Sequence, residues 1–284
     1  MLKSKPRMKA VSLPSGERVP ALGLGTWRLG ENPFTRAEEI ATLNLALDLG
    51  VTLFDTAEMY GEGLAEELIG EALSGRRSEC FLVTKVYPHN ASRNGAPAAC
   101  ERSLRRLRTD HIDLYLLHWR GSVPLAETVD AFLALQRAGK IRYWGLSNFD
   151  LYDMQDLWGV PGGSSAVTDQ LPYNLARRGS EWDLLPWLRK HRLPVMAYSP
   201  TEQSHLLHDV RLSRFAKQND MTPAQAALAW LLSKDDVIAI PKTAHRSHLR
   251  ENLQALAFQL SPAQLRELDS LFPPPDGPQP LEML

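Results

Sequence analysis

Residues 81–118 read FLVTKVYPHNASRNGAPAACERSLRRLRTDHIDLYLLH, and this stretch contains one complete structural repeat. It begins with the apolar run at residues 81–85 and continues with apolar positions at helical spacing over residues 96–107. A second apolar run, at residues 112–118, ends it. Short apolar runs of this kind are typical of buried parallel strands. The whole stretch therefore predicts a strand, a crossover helix and a second parallel strand.

The same repeat continues along the whole chain. Apolar runs lie at residues 21–27, 51–55, 81–85, 112–118, 143–148, 167–170, 195–199 and 237–242. The polar or aromatic residues at their ends, at positions 27, 55, 85, 118, 147, 170, 198 and 242, are 23 to 44 positions apart, with most steps near 30. Helical patterns are predicted between them, over residues 35–49, 62–73, 96–107, 126–137, 182–189 and 222–233, and the longest step, from Tyr198 to Lys242, holds two such patterns. Eight such units predict an α/β fold with a single closed (β/α)8 barrel, the TIM barrel.

The chain is predicted to form one domain. Its 284 residues would also fit two domains of average size, but no Pro-, Ser- or Gly-rich linker interrupts the repeat. We therefore assign residues 1–284 to a single barrel. Residues 8–20 predict a β-hairpin, with its turn at Ser15 and Gly16, that plugs the bottom of the barrel. Residues 261–284 predict an extra C-terminal helix followed by an extended tail.

The composition favours a small-molecule ligand. The chain has 32 basic and 33 acidic side chains, so its net charge is -1 and no positive surplus is available for nucleic acid. The longest wholly apolar run, residues 226–232, is far shorter than the ~18 residues of a membrane-spanning helix. Cys80 and Cys100 are too few for a disulfide framework, and no secretory signal follows the basic N-terminus. We expect a cytoplasmic monomer that binds neither nucleic acid nor membranes.

Each apolar run ends in a polar or aromatic residue. In a (β/α)8 barrel the carboxyl ends of the strands surround one mouth, where active sites lie. The residues brought to this mouth are Trp27, Asp55, Lys85, His118, Ser147, Asn148, Gln170, Tyr198 and Lys242. One such residue would be an ordinary cap or loop contact, but a complete ring of them indicates a functional site.

Four of these side chains and their neighbours suggest acid–base chemistry. Asp55 and Lys85 end adjacent strands and can form a buried ion pair, and Tyr60 follows Asp55 by five residues. A neighbouring ammonium lowers the pKa of a tyrosine, which makes the phenol a usable general acid near neutral pH. His118 could donate a hydrogen bond that orients a carbonyl oxygen. Taken singly, Tyr60 could equally be a loop residue and His118 a core histidine.

Three segments resemble the signatures of the aldo-keto reductase family. The first is Asp55-x4-Tyr60 together with Lys85 and His118; the second is GKIRYWGLSNF at residues 139–149; the third is IPKT-x7-EN, which ends at Asn252. The resemblance extends over residues 11–271 and is greatest to short bacterial reductases of methylglyoxal and other small aldehydes. It implies NAD(P)H-dependent reduction of aldehydes or ketones to alcohols by hydride transfer.

The resemblance also implies roles for individual residues. Tyr60 would be the proton donor, Lys85 and Asp55 would tune it, and His118 would orient the carbonyl group. NADPH would be held by Thr26, Trp27, Ser147, Asn148, Gln170, Tyr198, Ser199, Pro200, Thr201, Lys242, Thr243, His248, Glu251 and Asn252. The substrate pocket would be lined by Trp27, Tyr87, Trp119 and Phe149. No metal ion is expected.

Two positions depart from the family pattern. His248 stands where an arginine usually contacts the 2′-phosphate, and a neutral imidazole supplies no fixed charge there. We therefore expect a weakened preference for NADPH, with some use of NADH. Arg120 stands where proline is common; it is either a solvated loop residue or a rim cation that favours anionic or dicarbonyl substrates.

Two other functions are compatible with the same residues. A barrel lysine beside an acid is also the arrangement of Schiff-base lyases and aldolases, so Lys85 could be a nucleophile. Alternatively, the protein could be a cofactor-sensing regulatory subunit built on the same fold.

Overall fold

The computed structural model describes residues 8–284, and most of its secondary structure alternates between strands and helices. Its strands are β1 (Ala10–Ser12), β2 (Arg18–Pro20), β3 (Leu24–Gly25), β4 (Leu53–Asp55), β5 (Phe81–Val86), β6 (Ile112–Leu117), β7 (Ile141–Ser147), β8 (Asp169–Pro172), β9 (Val195–Tyr198) and β10 (Val237–Ala239). Its α-helices are α1 (Arg36–Asp48), α2 (Leu64–Ala72), α3 (Gly95–Leu107), α4 (Leu125–Arg137), α5 (Leu151–Trp158), α6 (Leu184–Lys190), α7 (Val210–Gln218), α8 (Pro223–Leu232), α9 (Arg246–Gln254) and α10 (Pro262–Leu271).

Strands β3 to β10 form one parallel sheet in the order of the chain. The sheet closes on itself where β3 meets β10, through parallel bridges from Leu22 to Ala239 and from Gly25 to Lys242. A Cβ on Gly25 would lie 3.1 Å from the carbonyl oxygen of Ile240, so glycine permits the close approach of the two backbones. The predicted (β/α)8 barrel is confirmed.

The predicted helices are present, and two more were not predicted. Helix α5 has only eight residues, and its N-cap is Asp150, whose side chain accepts a hydrogen bond from the Asp153 backbone N–H. Helix α9 buries few apolar side chains, notably Leu249 and Leu253, so its sequence lacks a strong apolar stripe.

The N-terminal hairpin covers the end of the barrel opposite the mouth. Strands β1 and β2 pair antiparallel, and Val11 and Val19 are buried in the hydrophobic core. The Lys9 ammonium donates hydrogen bonds to the carbonyl oxygens of Leu232 and Lys234, just before β10 begins. The Glu17 carboxylate accepts from the Tyr143 hydroxyl at 2.7 Å, near the start of β7. Both contacts lie at the amino ends of strands.

The predicted C-terminal helix α10 is present, and its N-terminus is closed by a capping box at Ser261. Arg178 holds it by donating to Asp269 and to the carbonyl oxygen of Phe272. The tail then returns toward the mouth, where the Leu284 backbone N–H lies 3.4 Å from the Tyr198 hydroxyl oxygen. No helix within residues 8–284 is long and apolar enough to cross a membrane.

Candidate active site

A buried lysine is at the centre of the mouth. Lys85 lies near the end of β5, is fully buried, and its ammonium donates to Asp55 Oδ2 at 2.8 Å. It also donates to the carbonyl oxygen of Thr56 at 2.8 Å and to the Tyr60 hydroxyl at 3.2 Å. An ammonium has three N–H donors, so all three are directed to oxygen atoms. The sequence predicted three of these residues but not the carbonyl group of Thr56.

A tight turn returns Tyr60 to this lysine. Gly61, Glu62 and Gly63 follow it with left-handed φ angles of 56°, 52° and 97°. The φ of 97° at Gly63 is a backbone conformation that residues with a Cβ rarely adopt, so this position favours glycine. Because of the turn, α2 begins at Leu64 rather than at the predicted residue 62.

The pKa of Tyr60 is shifted in the direction opposite to our expectation. Burial raises it and Asp55 adds to the increase; Lys85 lowers it, as expected, but does not outweigh burial. Burial disfavours the charged form of Lys85, yet Asp55 and Tyr60 together raise its pKa above the ordinary value. Tyr60 is therefore a protonated phenol, and Lys85 is an ammonium beside it. The expectation of a lowered tyrosine pKa was wrong because desolvation of the phenolate was ignored.

His118 follows β6 and is neutral. It is buried, and burial, with a smaller contribution from Lys85, lowers the pKa of its imidazole well below the ordinary value. Its ring lies edge-on to that of Tyr60, with the ring centroids 5.9 Å apart. Its buried Nδ1 has no hydrogen-bond partner within residues 8–284. A neutral imidazole in this place can donate one N–H without adding charge.

A chain of polar contacts continues along the mouth from Asp55. Gln170, in β8, donates its side-chain amide N–H to Asp55 Oδ1 at 2.8 Å, and the Ser147 hydroxyl donates to the backbone carbonyl oxygen of Gln170. Asn148 donates to Ser147 Oγ at 3.1 Å and accepts from the Tyr198 hydroxyl at 2.8 Å. These side chains, all predicted from the sequence, therefore form one connected wall.

The aromatic residues expected in the substrate pocket are only partly together. Tyr87 and Trp119 pack edge to face, with ring centroids 5.9 Å apart, and Trp119 also contacts His118. Trp27 follows β3 and carries the Arg28 guanidinium over its ring. Phe149 is the exception, because its side chain is fully buried in the hydrophobic core. We therefore exclude Phe149 from the pocket.

The remaining predicted cofactor residues lie on either side of the closing seam. Thr26 is buried, and its hydroxyl donates to the Asp55 backbone carbonyl. Ser199, Pro200 and Thr201 follow β9, and Ser199 adopts a left-handed φ of 49°. Beyond β10 the residues are Lys242, Thr243, His248, Glu251 and Asn252, with Lys242 and His248 exposed and Thr243 and Asn252 buried.

The charge of Arg120 is balanced locally. Its guanidinium forms ion pairs with Asp153 and Asp156, both on α5. It therefore brings no unpaired positive charge to the rim, which favours the solvated loop interpretation over a role in anion recognition.

Sequence reasoning missed one buried carboxylate beside the site. Glu58 lies on the loop between Asp55 and Tyr60 and accepts hydrogen bonds from the Tyr87 backbone N–H and the Asn90 side chain. Its only signal in the sequence is an acidic residue between Asp55 and Tyr60, and the sequence does not show which groups surround it.

Known proteins of similar sequence and fold include reductases. Residues 21–272 match the model of the aldo/keto reductase family. The chain is 47% identical over 283 residues to methylglyoxal reductase YeaE of Escherichia coli strain K12, covering 98% of this chain and 100% of the relative. It is 30% identical to glyoxal reductase of Bacillus subtilis strain 168, covering 96% and 97%. A crystal structure of an aldo/keto reductase from Klebsiella pneumoniae, in complex with NADP and acetate, superposes with a TM-score of 0.95 at 46% identity, covering 98% and 100%.

Proposed function

Because this chain belongs to the aldo/keto reductase family, we propose that it reduces small aldehydes and dicarbonyls with Tyr60 as the proton donor. Family membership makes it an NADP-dependent oxidoreductase acting on small-molecule carbonyl compounds. The substrate range and the roles of individual residues are our proposal. The contact that carries it is the 3.2 Å hydrogen bond from the fully buried Lys85 ammonium to the Tyr60 hydroxyl.

The residues of the mouth fit a nicotinamide nucleotide. A carboxamide needs both donors and acceptors, and the hydroxyl of Ser147 and the amides of Asn148 and Gln170 provide both. The Tyr198 hydroxyl is fixed by Asn148, so its ring can offer a steady flat face to the nicotinamide. Bound NADPH supplies the hydride, and the protein supplies position and electrostatics.

Proton transfer is the step that the protein's own side chains perform. As the substrate oxygen gains negative charge, the Tyr60 hydroxyl donates its proton to that oxygen and becomes a phenolate. The Lys85 ammonium stabilises this phenolate, and Asp55 holds the ammonium in place by its own charge. The high pKa of Tyr60 means that the proton is present before the reaction starts.

His118 orients the substrate in this scheme. Its ring is next to that of Tyr60, so a carbonyl oxygen between them would accept from both groups. Because the imidazole is neutral, it positions the oxygen without competing with Tyr60 as a proton source.

The proposed substrates are small and without net charge. The names of two relatives refer to methylglyoxal and glyoxal. In this chain Trp27, Tyr87 and Trp119 would form apolar walls, and Arg120 is already paired with carboxylates. We therefore propose short aldehydes and dicarbonyls rather than carboxylated substrates.

For the cofactor, we propose NADPH with some use of NADH. Lys242 would meet the 2′-phosphate, while the exposed His248 provides no fixed charge. We also propose that the protein is cytoplasmic, because Cys80 and Cys100 are both free thiols, and that it is a monomer.

The ion pair of Lys85 disfavours Schiff-base chemistry. A lysine must be a free amine to attack a carbonyl carbon, but Asp55 and Tyr60 raise the pKa of Lys85 and keep it protonated. The alternative of a cofactor-sensing subunit makes a different prediction, which is binding of NADPH without turnover.

NADPH oxidation across a panel of aldehydes tests the proposal, with Y60F as the comparison. We expect turnover of short aldehydes, and a fall of at least ~100-fold in Y60F, the range for loss of a general acid. Full activity in Y60F would contradict the role of Tyr60. Absence of turnover with every aldehyde, despite NADPH binding, would favour the regulatory function.

A further inference from the structure

We propose that Glu58 is a positioning residue that fixes Tyr60 relative to Lys85 and directs Tyr87 toward the substrate. The inference depends on the proposed function, because it assumes that Tyr60 donates the proton. Glu58 lies two residues before Tyr60, and its side chain is only 4% exposed. A buried carboxylate is costly unless it is hydrogen-bonded, so its partners indicate what it does.

One carboxylate oxygen of Glu58 holds the segment that follows β5. Oε1 accepts the backbone N–H of Tyr87 at 2.7 Å and the side-chain amide N–H of Asn90 at 3.0 Å. Glu58 therefore fixes the backbone from which the Tyr87 ring extends toward Trp119.

The backbone of Glu58 makes a second connection to the same strand. Its N–H donates to the carbonyl oxygen of Lys85 at 3.2 Å. One residue thus contacts the chain at Lys85 and again two residues later at Tyr87. Since Tyr60 follows Glu58 by two residues, the 3.2 Å contact between Tyr60 and Lys85 depends on this double connection.

The other carboxylate oxygen has a weaker partner. Oε2 lies 3.4 Å from the Arg102 guanidinium, whose side chain is 38% exposed. An ion pair with a solvated partner contributes little. We therefore assign the positioning of Tyr60 and Tyr87 to the hydrogen bonds that Oε1 accepts. The ion pair with Arg102 has no part in it.

This distinction can be tested with matched variants. E58A removes the acceptor, whereas E58Q keeps a carbonyl oxygen that can still accept from Tyr87 and Asn90. N90D places a second carboxylate against Glu58 and so weakens the clamp without changing Glu58. R102Q removes only the exposed partner and is the control.

The measurement is a single turnover by stopped flow, with preformed enzyme–NADPH mixed with saturating small aldehyde. In this experiment a loss of folded protein lowers the amplitude, but mispositioning of Tyr60 lowers the first-order rate constant. We expect the rate constant to fall ~10- to 100-fold in E58A, the range for a small displacement of a catalytic group. The rate constant of N90D should also fall, and the rate constants of E58Q and R102Q should stay close to that of the original protein.

A readout independent of turnover is the crystal structure of E58A. There the distance from the Tyr60 hydroxyl to the Lys85 ammonium should exceed hydrogen-bond length. Steady-state KM should rise more for bulky aldehydes than for small ones, because Tyr87 also loses its support.

Two results would overturn the proposal. One is an unchanged rate constant in both E58A and N90D, with only the amplitude reduced; the other is an equal loss in E58Q and E58A, which would assign the effect to charge. Failure of the proposed function looks different, since Y60F would then retain its rate constant whatever the Glu58 variants do.

Discussion

The Asp55 carboxylate contacts both the Lys85 ammonium and the Gln170 amide, each at 2.8 Å and each through a different oxygen. One carboxylate therefore links the side that would transfer the proton to the side that would hold the nicotinamide. Substitutions that separate the two contacts of Asp55 should therefore affect both sides of the mouth.

Removing one member of the buried ion pair between Asp55 and Lys85 should lower the free energy of unfolding more than removing both members does. K85M leaves Asp55 buried without its cation, and such losses typically destabilise by ~3–5 kcal/mol. In the double variant D55N/K85M no uncompensated charge remains, so part of this free energy should return. Urea unfolding of the original chain, both single variants and the double variant measures the coupling. Strictly additive effects would show that the pair does not interact as described.

His118 should make the folded state less stable in mild acid. Burial lowers the pKa of its imidazole in the folded state, so below about pH 6.5 the unfolded chain binds a proton that the folded chain does not. The free energy of unfolding should then decrease with falling pH, by up to ~1.4 kcal/mol per unit from this group. H118Q should show a flatter dependence between pH 7.5 and 5.5. An identical slope in both proteins would contradict the assignment.

Asp169 should make the folded state less stable as pH rises, which is opposite to the effect of His118. It lies beside Gln170 in β8 and is completely buried, and the backbone N–H groups of Phe149 and Gln170, which favour its ionised form, do not offset this burial. Burial raises its pKa well above the ordinary value, so above about pH 4 the unfolded chain loses a proton that the folded chain keeps. Stability from this group is therefore lost as pH rises from about 4 toward the folded-state pKa.

D169N removes this ionisation with little change of shape. We expect it to raise the free energy of unfolding, and to raise it more at pH 8 than at pH 4.5. Chemical denaturation at the two pH values provides the comparison. A gain that is independent of pH would mean that packing, rather than ionisation, distinguishes the two side chains.

Restoring a fixed charge at His248 should strengthen the preference for NADPH. H248R places a guanidinium where the 2′-phosphate is expected, and one added charge-assisted contact of ~1.4 kcal/mol corresponds to tenfold. The ratio of kcat/KM for NADPH to that for NADH should rise by about this factor. H248Q, which carries no charge, should leave the ratio unchanged, and the proposal fails if it rises equally in both.

The architecture could be predicted because each buried strand leaves a local apolar signal, as residues 81–85 and 112–118 illustrate. Helices α5 and α9 escaped prediction because a short helix and a mostly polar one leave weak periodicity. Phe149 was misplaced for a related reason, since the sequence does not show toward which face a residue points just after a strand ends.

The electrostatics of the site was harder to predict than its composition. The proximity of Lys85 and Tyr60 could be expected from strand order, and the structure brings them together. The direction in which the pKa of Tyr60 is shifted could not be predicted, because it depends on how completely the loop excludes water. Glu58 was missed since its role is visible only once Tyr87 and Asn90 are seen to surround it.

Closure of the barrel at Leu22 and Ala239 has a consequence for how the protein folds. These residues are 217 positions apart in the chain, so the seam cannot form until almost all of the polypeptide has been synthesised. Proteins with such distant contacts fold slowly, and until closure β3 presents an unpaired edge that can associate with other chains. Trp27 and Lys242 border this seam, and the proposed cofactor site would therefore be completed late in folding.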